Sequence, residues 1–390
     1  MRSFTTAERR NRLAYRHFLA PGDRPGSISE MTAAFIGWHA THPATPYLSL
    51  WARRPGFTVA DLDDELYDGR TLVKQLAMRR TLWVVRAADL AALQPGASDR
   101  VADTERKRLI ADVEKAGVAA DGARWLDTAA HAVRRHLAEH GHASSAELRA
   151  ALPELAGTWD PAPGKSWGGE GHLAPRVLTA VAVRGDIIRG PNQGTWTTSR
   201  HRWVECRTWL GAPVDRMAAD EARATLVARW LRTFGPAPIT DIKWWFGSTL
   251  TATRHALAAT GAVEVDLDGT IGWALADDLD DTPEPQPWAA LLPELDVTTM
   301  GWSERSWYLG AHRDQIFDRN GNAGSTAWWN GRVVGGWRQD VDGRVELQLL
   351  ADPGRDGRKA LTRMAGDLTD WLAGVRVAPR FPSPLSKAGR

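Results

Sequence analysis

Four consecutive segments decide the fold that we predict: TLVARWLRTFG (225–235), ITDIKWWFG (239–247), LTATRHALAATG (250–261) and AVEVDLDGTIGWAL (262–275). In the first three, apolar residues recur at helical spacing and a glycine closes the segment, which is typical of a helix C-terminus. The fourth alternates around Asp268-Gly269, which favours a tight hairpin turn. Helices joined by short turns and followed by a hairpin are the order of a winged helix-turn-helix unit.

A similar order is predicted near the N-terminus. From Thr58 the pattern predicts a helix over 59–66, a turn at 67–69, a second helix over 70–78 and a strand over 81–85. Helix, tight turn, helix and strand are again the elements of a winged helix.

A third copy is predicted over 144–199. It contains SSAELRAAL, a proline- and glycine-rich insertion over 153–171, the helical HLAPRVLTAVAVRG, and a hairpin that turns at 191–194. Three units of one plan indicate tandem winged helices, although no residue-level identity between the copies is visible.

The N-terminal residues precede these units. Residues 1–26 predict a short amphipathic helix with four basic side chains, Arg9, Arg10, Arg12 and Arg16, followed by a turn. A second helix is predicted to begin at Ser29 as its cap and to run through Trp38. It has to end before Pro43, because the residue that precedes a proline avoids helical angles.

In the C-terminal part of the chain, the spacing of the apolar residues changes from a helical period to alternation. After an acidic, proline-rich linker over 277–287, the stretch 291–350 alternates polar and apolar residues and predicts an all-β domain. Its hairpin turn signals are Gly301, Gly321-Asn322, Asn330-Gly331 and Asp342-Gly343. A final helix is predicted over 357–372, and the basic tail RFPSPLSKAGR is expected to be disordered.

These patterns predict an α+β chain of four domains. The boundaries that we predict are 1–95 for the N-terminal helix and first winged helix, 96–210 for the second with its insertion, 211–280 for the third, and 288–378 for the all-β domain with its terminal helix.

The composition permits a nucleic-acid partner. Only seven of the 49 basic residues are lysines, and arginine suits bidentate phosphate contacts, although a GC-rich genome would also favour it. The 20 tryptophans are better explained by core packing than by base stacking. A single cysteine, Cys206, excludes an internal disulfide and a thiolate metal cage. No segment has the length of a membrane span and no N-terminal signal is apparent, so a cytoplasmic protein is expected.

The stretch GWHATHPATPYLSLWARR (37–54) holds the candidate catalytic residues, His39 and Thr41. A neutral imidazole can accept a proton from a water that the threonine hydroxyl holds. On a straight helix the two side chains would diverge, so they converge only if the helix breaks between them. A helix C-terminus would raise the histidine pKa, which opposes the base role. The alternative is a packed histidine beneath Trp38 and Trp51.

Other enzymatic signatures are absent from the sequence, including a phosphate-binding loop, a nucleophile elbow and a His-Glu-x-x-His motif. His136 and His140 have helical spacing for a metal, but an exposed, arginine-rich helix face that ends at Gly141 explains them more simply. No metal and no cofactor are expected.

At two segments the chain resembles the bacterial helix-turn-helix DNA glycosylases related to the azinomycin-resistance and interstrand-crosslink enzymes. The first is the pattern over 37–53 that ends in YLSLWAR; the second is LLPELDVTTMGWSERSW with GNAGSTAWWNGRVVGGWR, within 291–338. The resemblance implies three winged-helix units and a β-barrel that together cradle duplex DNA. It also implies metal-free hydrolysis of the N-glycosidic bond of alkylated purines, and self-resistance to a DNA-alkylating natural product.

The family's catalytic motif, glutamine, an apolar residue, then glutamine or aspartate, aligns with His39, Ala40 and Thr41, so both polar positions are replaced. The resemblance points to four DNA-contacting residues in the C-terminal domain: Arg305, Asn322, Arg332 and Trp337. Arg53 and Arg54 are predicted phosphate contacts, with a salt bridge to Asp61 or Asp63 as the alternative.

Two other functions remain open. A winged-helix regulator without catalysis is one, and the loss of both motif glutamines favours it; a protein-interaction scaffold that uses the tryptophans is the other. A regulator would need a dimer to read a palindrome, whereas three different units in one chain are expected to bind double-stranded DNA as a monomer.

Overall fold

The structure is a computed structural model that describes residues 1–160, 165 and 169–387, and it mixes helices with antiparallel sheets. The helices are α1 Thr6–Arg16, α2 Ile28–Ala34, α3 Thr45–Trp51, α4 Val59–Asp63, α5 Leu90–Leu93, α6 Asp99–Lys115, α7 Gly122–His140, α8 Ser145–Ala151, α9 Ala174–Val183, α10 Cys206–Leu210, α11 Ala219–Phe234, α12 Ile239–Phe246, α13 Leu250–Thr260, α14 Ser306–Leu309, α15 Arg313–Ile316, α16 Gly354–Leu372 and α17 Pro384–Lys387. The strands are β1 Trp38–His39, β2 Leu72–Leu76, β3 Leu82–Arg86, β4 His142–Ala143, β5 Thr158–Trp159, β6 Gly171–His172, β7 Ile187–Asn192, β8 His201–Glu205, β9 Val263–Leu267, β10 Thr270–Ala274, β11 Ala289–Leu292, β12 Thr326–Trp329, β13 Arg332–Gln339 and β14 Val345–Leu349.

The chain divides into two compact units. Unit 1 combines Met1–Leu62 with Ala224–Arg390, and unit 2 is Asp63–Arg223. The N-terminal residues therefore share a unit with the C-terminal part of the chain. The four domain boundaries predicted from the sequence stay a prediction.

The elements predicted over 239–274 are confirmed. Helices α12 and α13 end at Gly247 and Gly261, whose φ angles of 60° and 67° are left-handed, a conformation that glycine adopts without strain. Strands β9 and β10 pair antiparallel across Asp268 and Gly269, as the turn signal predicts. Helix α12 buries the large side chain of Trp245.

The helix predicted over 70–78 is wrong. Residues Leu72–Leu76 form strand β2, which pairs antiparallel with β3, and the chain reverses at Arg79 and Arg80 with positive φ. All five residues of β2 are buried, including Lys74 and Gln75. The strand therefore has no solvent-facing side, and its sequence shows neither the alternation of polar and apolar residues typical of a half-exposed strand nor the spacing typical of an amphipathic helix. A short segment buried on both faces cannot be assigned by periodicity alone.

The copy over 144–199 is confirmed as helices and a hairpin within unit 2. Helix α8 is capped by Ser144, and α9 precedes the antiparallel hairpin of β7 and β8. The predicted turn at 191–194 lies too early, because β7 extends to Asn192. Much of the predicted insertion, at 161–164 and 166–168, lies outside the described residues.

The all-β barrel expected at the C-terminus is corrected. In the described residues, β11, β12, β13 and β14 form an open antiparallel sheet in that order, with no closure between its edges. Two short helices, α14 and α15, interrupt the stretch that was predicted as strands. The hairpin turns at Asn330-Gly331 and Asp342-Gly343 are confirmed, and so is the final helix, α16, which packs against β11 and β14.

The basic N-terminal helix pairs with the acidic linker. Arg12 and Arg16 lie 3.2 and 2.6 Å from the Asp278 carboxylate, and Arg2 lies 2.7 Å from Asp281. Part of the arginine content of the sequence is therefore used inside unit 1 and is no indicator of a nucleic-acid surface.

Candidate active site

The segment that leads to His39 begins differently from the prediction. Helix α2 is capped by Ser27, not Ser29: the Ser27 hydroxyl accepts from the Glu30 N–H at 3.1 Å, and the Glu30 carboxylate accepts from the Ser27 N–H at 3.0 Å. This reciprocal capping box has the sequence Ser-x-x-Glu, a signal that was present in SISE (27–30).

The helix ends well before Pro43. Helix α2 stops at Ala34, Ile36 has a left-handed φ of 66°, and Trp38–His39 is an extended strand, β1. His39 therefore does not lie at a helix C-terminus, and the objection that a helix dipole would raise its pKa does not apply. Thr41 lies at a bend just beyond this strand, with one residue between it and His39.

Residues 38–42, which we call the candidate catalytic loop, are anchored on their N-terminal side by Trp38. This side chain is fully buried, and its indole N–H donates to the Thr32 hydroxyl at 2.8 Å. His39 is 3% exposed, whereas Thr41 is half-buried. His39 is thus buried, as the alternative of a packed histidine requires, and Thr41 is the more accessible of the two.

On the C-terminal side the loop meets Glu294. His42 Nδ1 lies 3.2 Å from Glu294 Oε1, and the Thr45 hydroxyl donates to the Glu294 carbonyl at 2.8 Å. The two carboxylate oxygens of Glu294 accept the backbone N–H groups of Arg380 and Phe381 at 3.1 and 3.2 Å. Glu294 therefore links the candidate catalytic loop to the C-terminal segment.

Burial shifts the pKa values of this pair in opposite directions. It raises the pKa of Glu294 to about 7, against the lowering effect of the Phe381 and Arg380 N–H groups. It lowers the pKa of His42 to about 4, and the positive charge of Arg380 acts in the same direction. At neutral pH the His42 imidazole is thus uncharged, and its contact with Glu294 is not an ion pair.

A cavity of about 650 Å³ borders the pair. Its lining includes His42, Glu294, Trp337 and Phe381. The cavity is within the size range of small-molecule sites and combines aromatic walls with a few polar groups.

The C-terminal tail is ordered where it is described, which corrects the expectation of disorder for 380–387. Ser383 is 2% exposed, Pro384–Lys387 forms α17, and an Arg380 guanidinium N–H donates to the Thr41 carbonyl at 3.0 Å. Arg380 and Glu294 are site residues that the sequence prediction missed. Glu294 lies inside the quoted LLPELDVTT, but no local pattern relates it to residue 42.

The prediction that Arg53 contacts phosphate is wrong, because its side chain is buried and fully bonded. Two N–H groups hold the Asp296 carboxylate at 2.8 and 2.9 Å, and the others donate to the carbonyls of His17 and Ser49 and to the Thr298 hydroxyl. A guanidinium has five N–H donors, and all five are used. The salt-bridge partner is Asp296, not Asp61 or Asp63.

Arg305 and Trp337 are also buried. The Arg305 guanidinium packs over the Phe317 ring at 4.2 Å and donates to the Trp302 carbonyl, and burial lowers its pKa. The Trp337 indole N–H donates to the Leu292 carbonyl at 2.8 Å. A role for either side chain on the surface of a duplex is therefore contradicted, although Trp337 lines the cavity.

The remaining predicted contacts differ in exposure. Asn322 is half-buried and donates to the Asp318 carboxylate at 2.9 Å, which is a turn-stabilising role. Arg54 is half-buried and donates to the Gly26 carbonyl, and Arg332 is exposed at the start of β13, next to the hairpin turn. Among the cationic side chains of the predicted contacts, Arg54 and Arg332 are therefore the two that are not fully buried.

Metal ligation finds little support in the described part of the chain. No three His, Cys, Asp or Glu side chains there come together as a ligand set. His136 and His140 stack with ring centroids 4.2 Å apart, and His140 Nδ1 lies 2.9 Å from the His136 carbonyl oxygen.

A family profile described as "DNA glycosylase AlkZ-like" matches residues 32–371, which include the loop, Glu294 and the open sheet. The chain belongs to the AlkZ-like DNA glycosylase family. The resemblance stated from segments 37–53 and 291–338 is therefore confirmed.

Two further comparisons find similarity to glycosylases of Streptomyces sahachiroi. The "Interstrand DNA cross-link repair glycosylase" of Streptomyces sahachiroi is 26% identical over 199 residues, which are 48% of this chain and 52% of the relative. The matched part thus spans about half the length of that curated relative. The solved "Streptomyces sahachiroi DNA glycosylase AlkZ" matches with a TM-score of 0.74 and 21% identity, covering 97% of this chain and 99% of that one. The two chains share a fold.

Across the described residues, no helix combines the length and the apolar character needed to cross a membrane.

We predict that Arg53→Ala lowers the free energy of unfolding by about 3–5 kcal/mol, because it leaves the Asp296 carboxylate buried without its partner. Urea denaturation followed by tryptophan fluorescence measures the change. Arg54→Ala, at the neighbouring half-buried position, is the matched control and should cost about 0.5 kcal/mol or less. Equal losses in the two variants would contradict the role assigned to Arg53.

We also predict a pH-dependent difference in stability between the wild type and Glu294→Gln. Because the folded pKa of Glu294 is raised to about 7, this group contributes stability below its unfolded pKa and loses it as pH rises through 7. From pH 5 to pH 8 the wild type should therefore lose about 2 kcal/mol relative to the variant. Denaturation at the two pH values measures this, and Glu346→Gln, which replaces an exposed carboxylate, should show no such difference.

Proposed function

We propose that this chain is a monofunctional DNA glycosylase that hydrolyses the N-glycosidic bond of bulky purines alkylated at N7 or N3. The observation that carries the proposal is the buried His39 in an extended segment, at the first position of the family's catalytic motif, in a chain that belongs to a glycosylase family. The name of the S. sahachiroi relative, a cross-link repair glycosylase, supports the same class of reaction.

The chemistry requires a placed water more than an acid. A purine alkylated at N7 or N3 is cationic, so it can leave with the electron pair of the C1′–N9 bond without being protonated. A water oxygen bonds to C1′, neutral His39 accepts the proton that the water releases, and the Thr41 hydroxyl holds the water. A protonated His39 would repel the positive charge that develops on the sugar.

Double-stranded DNA carrying such a lesion is the proposed partner, bound by a monomer. In this proposal, helices α12 and α13 with the hairpin β9–β10 act as one of three winged helices. Arg54 and Arg332 contact phosphates, because they are the cationic side chains among the predicted contacts that are not fully buried. Self-resistance to a DNA-alkylating natural product is the biological role that we propose for the activity.

A non-catalytic DNA-binding regulator is the second candidate. The observation that favours it is the replacement of both polar motif positions by His39 and Thr41. Release of free modified base from a duplex identifies the enzyme, whereas sequence-specific retention without release identifies the regulator.

We predict that His39→Ala lowers single-turnover excision by at least about 100-fold, because a positioned general base contributes roughly that much or more. The substrate is a duplex oligonucleotide with one nitrogen-mustard monoadduct at N7 of guanine. DNA affinity should change less than about twofold, since His39 is buried. His131→Ala, at an exposed histidine of α7, is the control and should excise at the wild-type rate. Unchanged excision by His39→Ala would sink the assignment.

For DNA binding we predict that Arg54→Ala and Arg332→Ala each weaken affinity and each reduce the slope of log K against log salt by about one. Fluorescence anisotropy with an undamaged duplex at several salt concentrations gives the slope. The control is Arg358→Ala, which should leave the slope unchanged. It removes an exposed arginine of α16 that lies 3.1 Å from the Asp352 carboxylate. A slope that stays at the wild-type value excludes the residue as a phosphate contact.

A further inference from the structure

We infer that Glu294 and Arg380 are positioning residues of the glycosylase reaction, and that the C-terminal segment 375–387 is thereby a working part of the active site. This inference rests on the proposed function, since it takes the loop of His39 and Thr41 as catalytic. Neither residue is in the sequence motif, and the role that we infer for each is to hold the loop.

The first observation is a closed ring of contacts around the loop. The Arg380 guanidinium donates to the Thr41 carbonyl at 3.0 Å, and the Arg380 backbone N–H donates to Glu294 Oε1 at 3.1 Å. The same Oε1 lies 3.2 Å from His42 Nδ1. Arg380 is therefore hydrogen-bonded to Thr41, and Glu294 contacts the next residue, His42, by close approach without a hydrogen bond to its Nδ1.

The second observation is that Glu294 is itself fixed to the helix that follows the loop. The Thr45 hydroxyl, in the first turn of α3, donates to the Glu294 carbonyl at 2.8 Å. Two residues further on, Asp296 is held by Arg53 and by the Ser49 hydroxyl at 2.6 Å. The Glu294 backbone is therefore bonded to α3, the helix that follows the loop, and we expect a change in its side chain to alter the conformation of the loop.

The third observation is that segment 375–387 is fastened elsewhere and is not a loose tail. The Gln339 side chain accepts from the Val377 N–H at 2.9 Å and donates to the Val375 carbonyl at 3.0 Å. Ser383 lies so close to Gly324 that a Cβ on Gly324 would come within 2.5 Å of the serine hydroxyl oxygen. Arg380 is exposed, yet the residues on both sides of it are held in place.

The fourth observation is that the ionised carboxylate of Glu294 lowers the stability of the folded protein. Glu294 is 4% exposed, and its ionised form is disfavoured by burial, as its raised pKa of about 7 shows. A buried ionisable group whose desolvation works against stability is more typical of a functional site than of a structural core. What the carboxylate provides is two acceptors for consecutive N–H groups, which fixes the orientation of Arg380.

Positioning of this kind acts on rate more than on binding. A displacement of about 1 Å in the reacting groups can lower a rate by about 100-fold. If the contacts of Glu294 and Arg380 with the loop are lost, the water held by Thr41 and His39 is no longer positioned for attack on the sugar. The phosphate contacts at Arg54 and Arg332 are unaffected.

Three variants test the inference on the full chain: Glu294→Gln, Arg380→Ala and Arg380→Lys. With the nitrogen-mustard monoadduct duplex, we expect Glu294→Gln and Arg380→Ala to lower single-turnover excision by about 10- to 100-fold, with the DNA dissociation constant within about twofold of wild type. Arg380→Lys keeps a donor and should recover part of the rate. Wild-type rates in both loss variants, or a loss of DNA affinity equal to the loss of rate, would overturn the inference.

A readout that does not depend on activity separates this inference from the proposed function. We expect amide hydrogen exchange in the peptide that contains residues 38–42 to be about tenfold faster in Glu294→Gln and Arg380→Ala, with no change in peptides of unit 2. Unchanged exchange at 38–42 overturns the positioning role. If wild type releases no modified base while exchange responds as expected, the proposed function fails and the grip on the loop stands.

Discussion

A buried ion pair between Arg53 and Asp296 joins the two stretches of chain that make up unit 1. Both side chains are completely buried, and the Arg53 guanidinium also bonds the end of α1, the end of α3 and the segment after β11. The central carbon of the Arg53 guanidinium lies 5.4 Å from the centre of the Trp38 ring, at the start of the candidate catalytic loop. Removing either partner of this buried ion pair is strongly destabilising, because the remaining charge would be buried without a partner and without solvent. The two segments that carry the family resemblance are thus halves of one bonded structure.

Local signals predicted much of the fold, and long-range pairing accounts for most of what they missed. Gly247, Gly261 and Asp268-Gly269 specify left-handed caps and a tight turn from their own chemistry, and those elements are confirmed. The strand Leu72–Leu76 was mistaken for helix because burial on both faces removes the periodicity. Arg53 was mistaken for a phosphate ligand because its partner lies 243 residues away in sequence.

The candidate site shows the same division. His39 and Thr41 could be selected from the sequence because a family pattern surrounds them. The backbone conformation around them could not be predicted, because the helix was expected to reach Trp38 and instead ends at Ala34. Glu294 and Arg380 were missed for a different reason. A glutamate in a β-rich stretch and an arginine in a basic tail have no distinguishing neighbours, and their roles exist only once the fold brings them to residues 41 and 42.

Unit 1 is discontinuous, since Met1–Leu62 packs with residues that begin at Ala224, and this has a consequence for biosynthesis. During translation, the loop that holds His39 leaves the ribosome long before Asp296, Glu294 and Arg380 exist. Unit 2, a continuous stretch of chain, has all its residues available while unit 1 still lacks its later half. A nascent chain that stops short of Glu294 and Arg380 therefore carries the candidate catalytic loop without its contacts to these two residues, which form only after Arg380 has been synthesised.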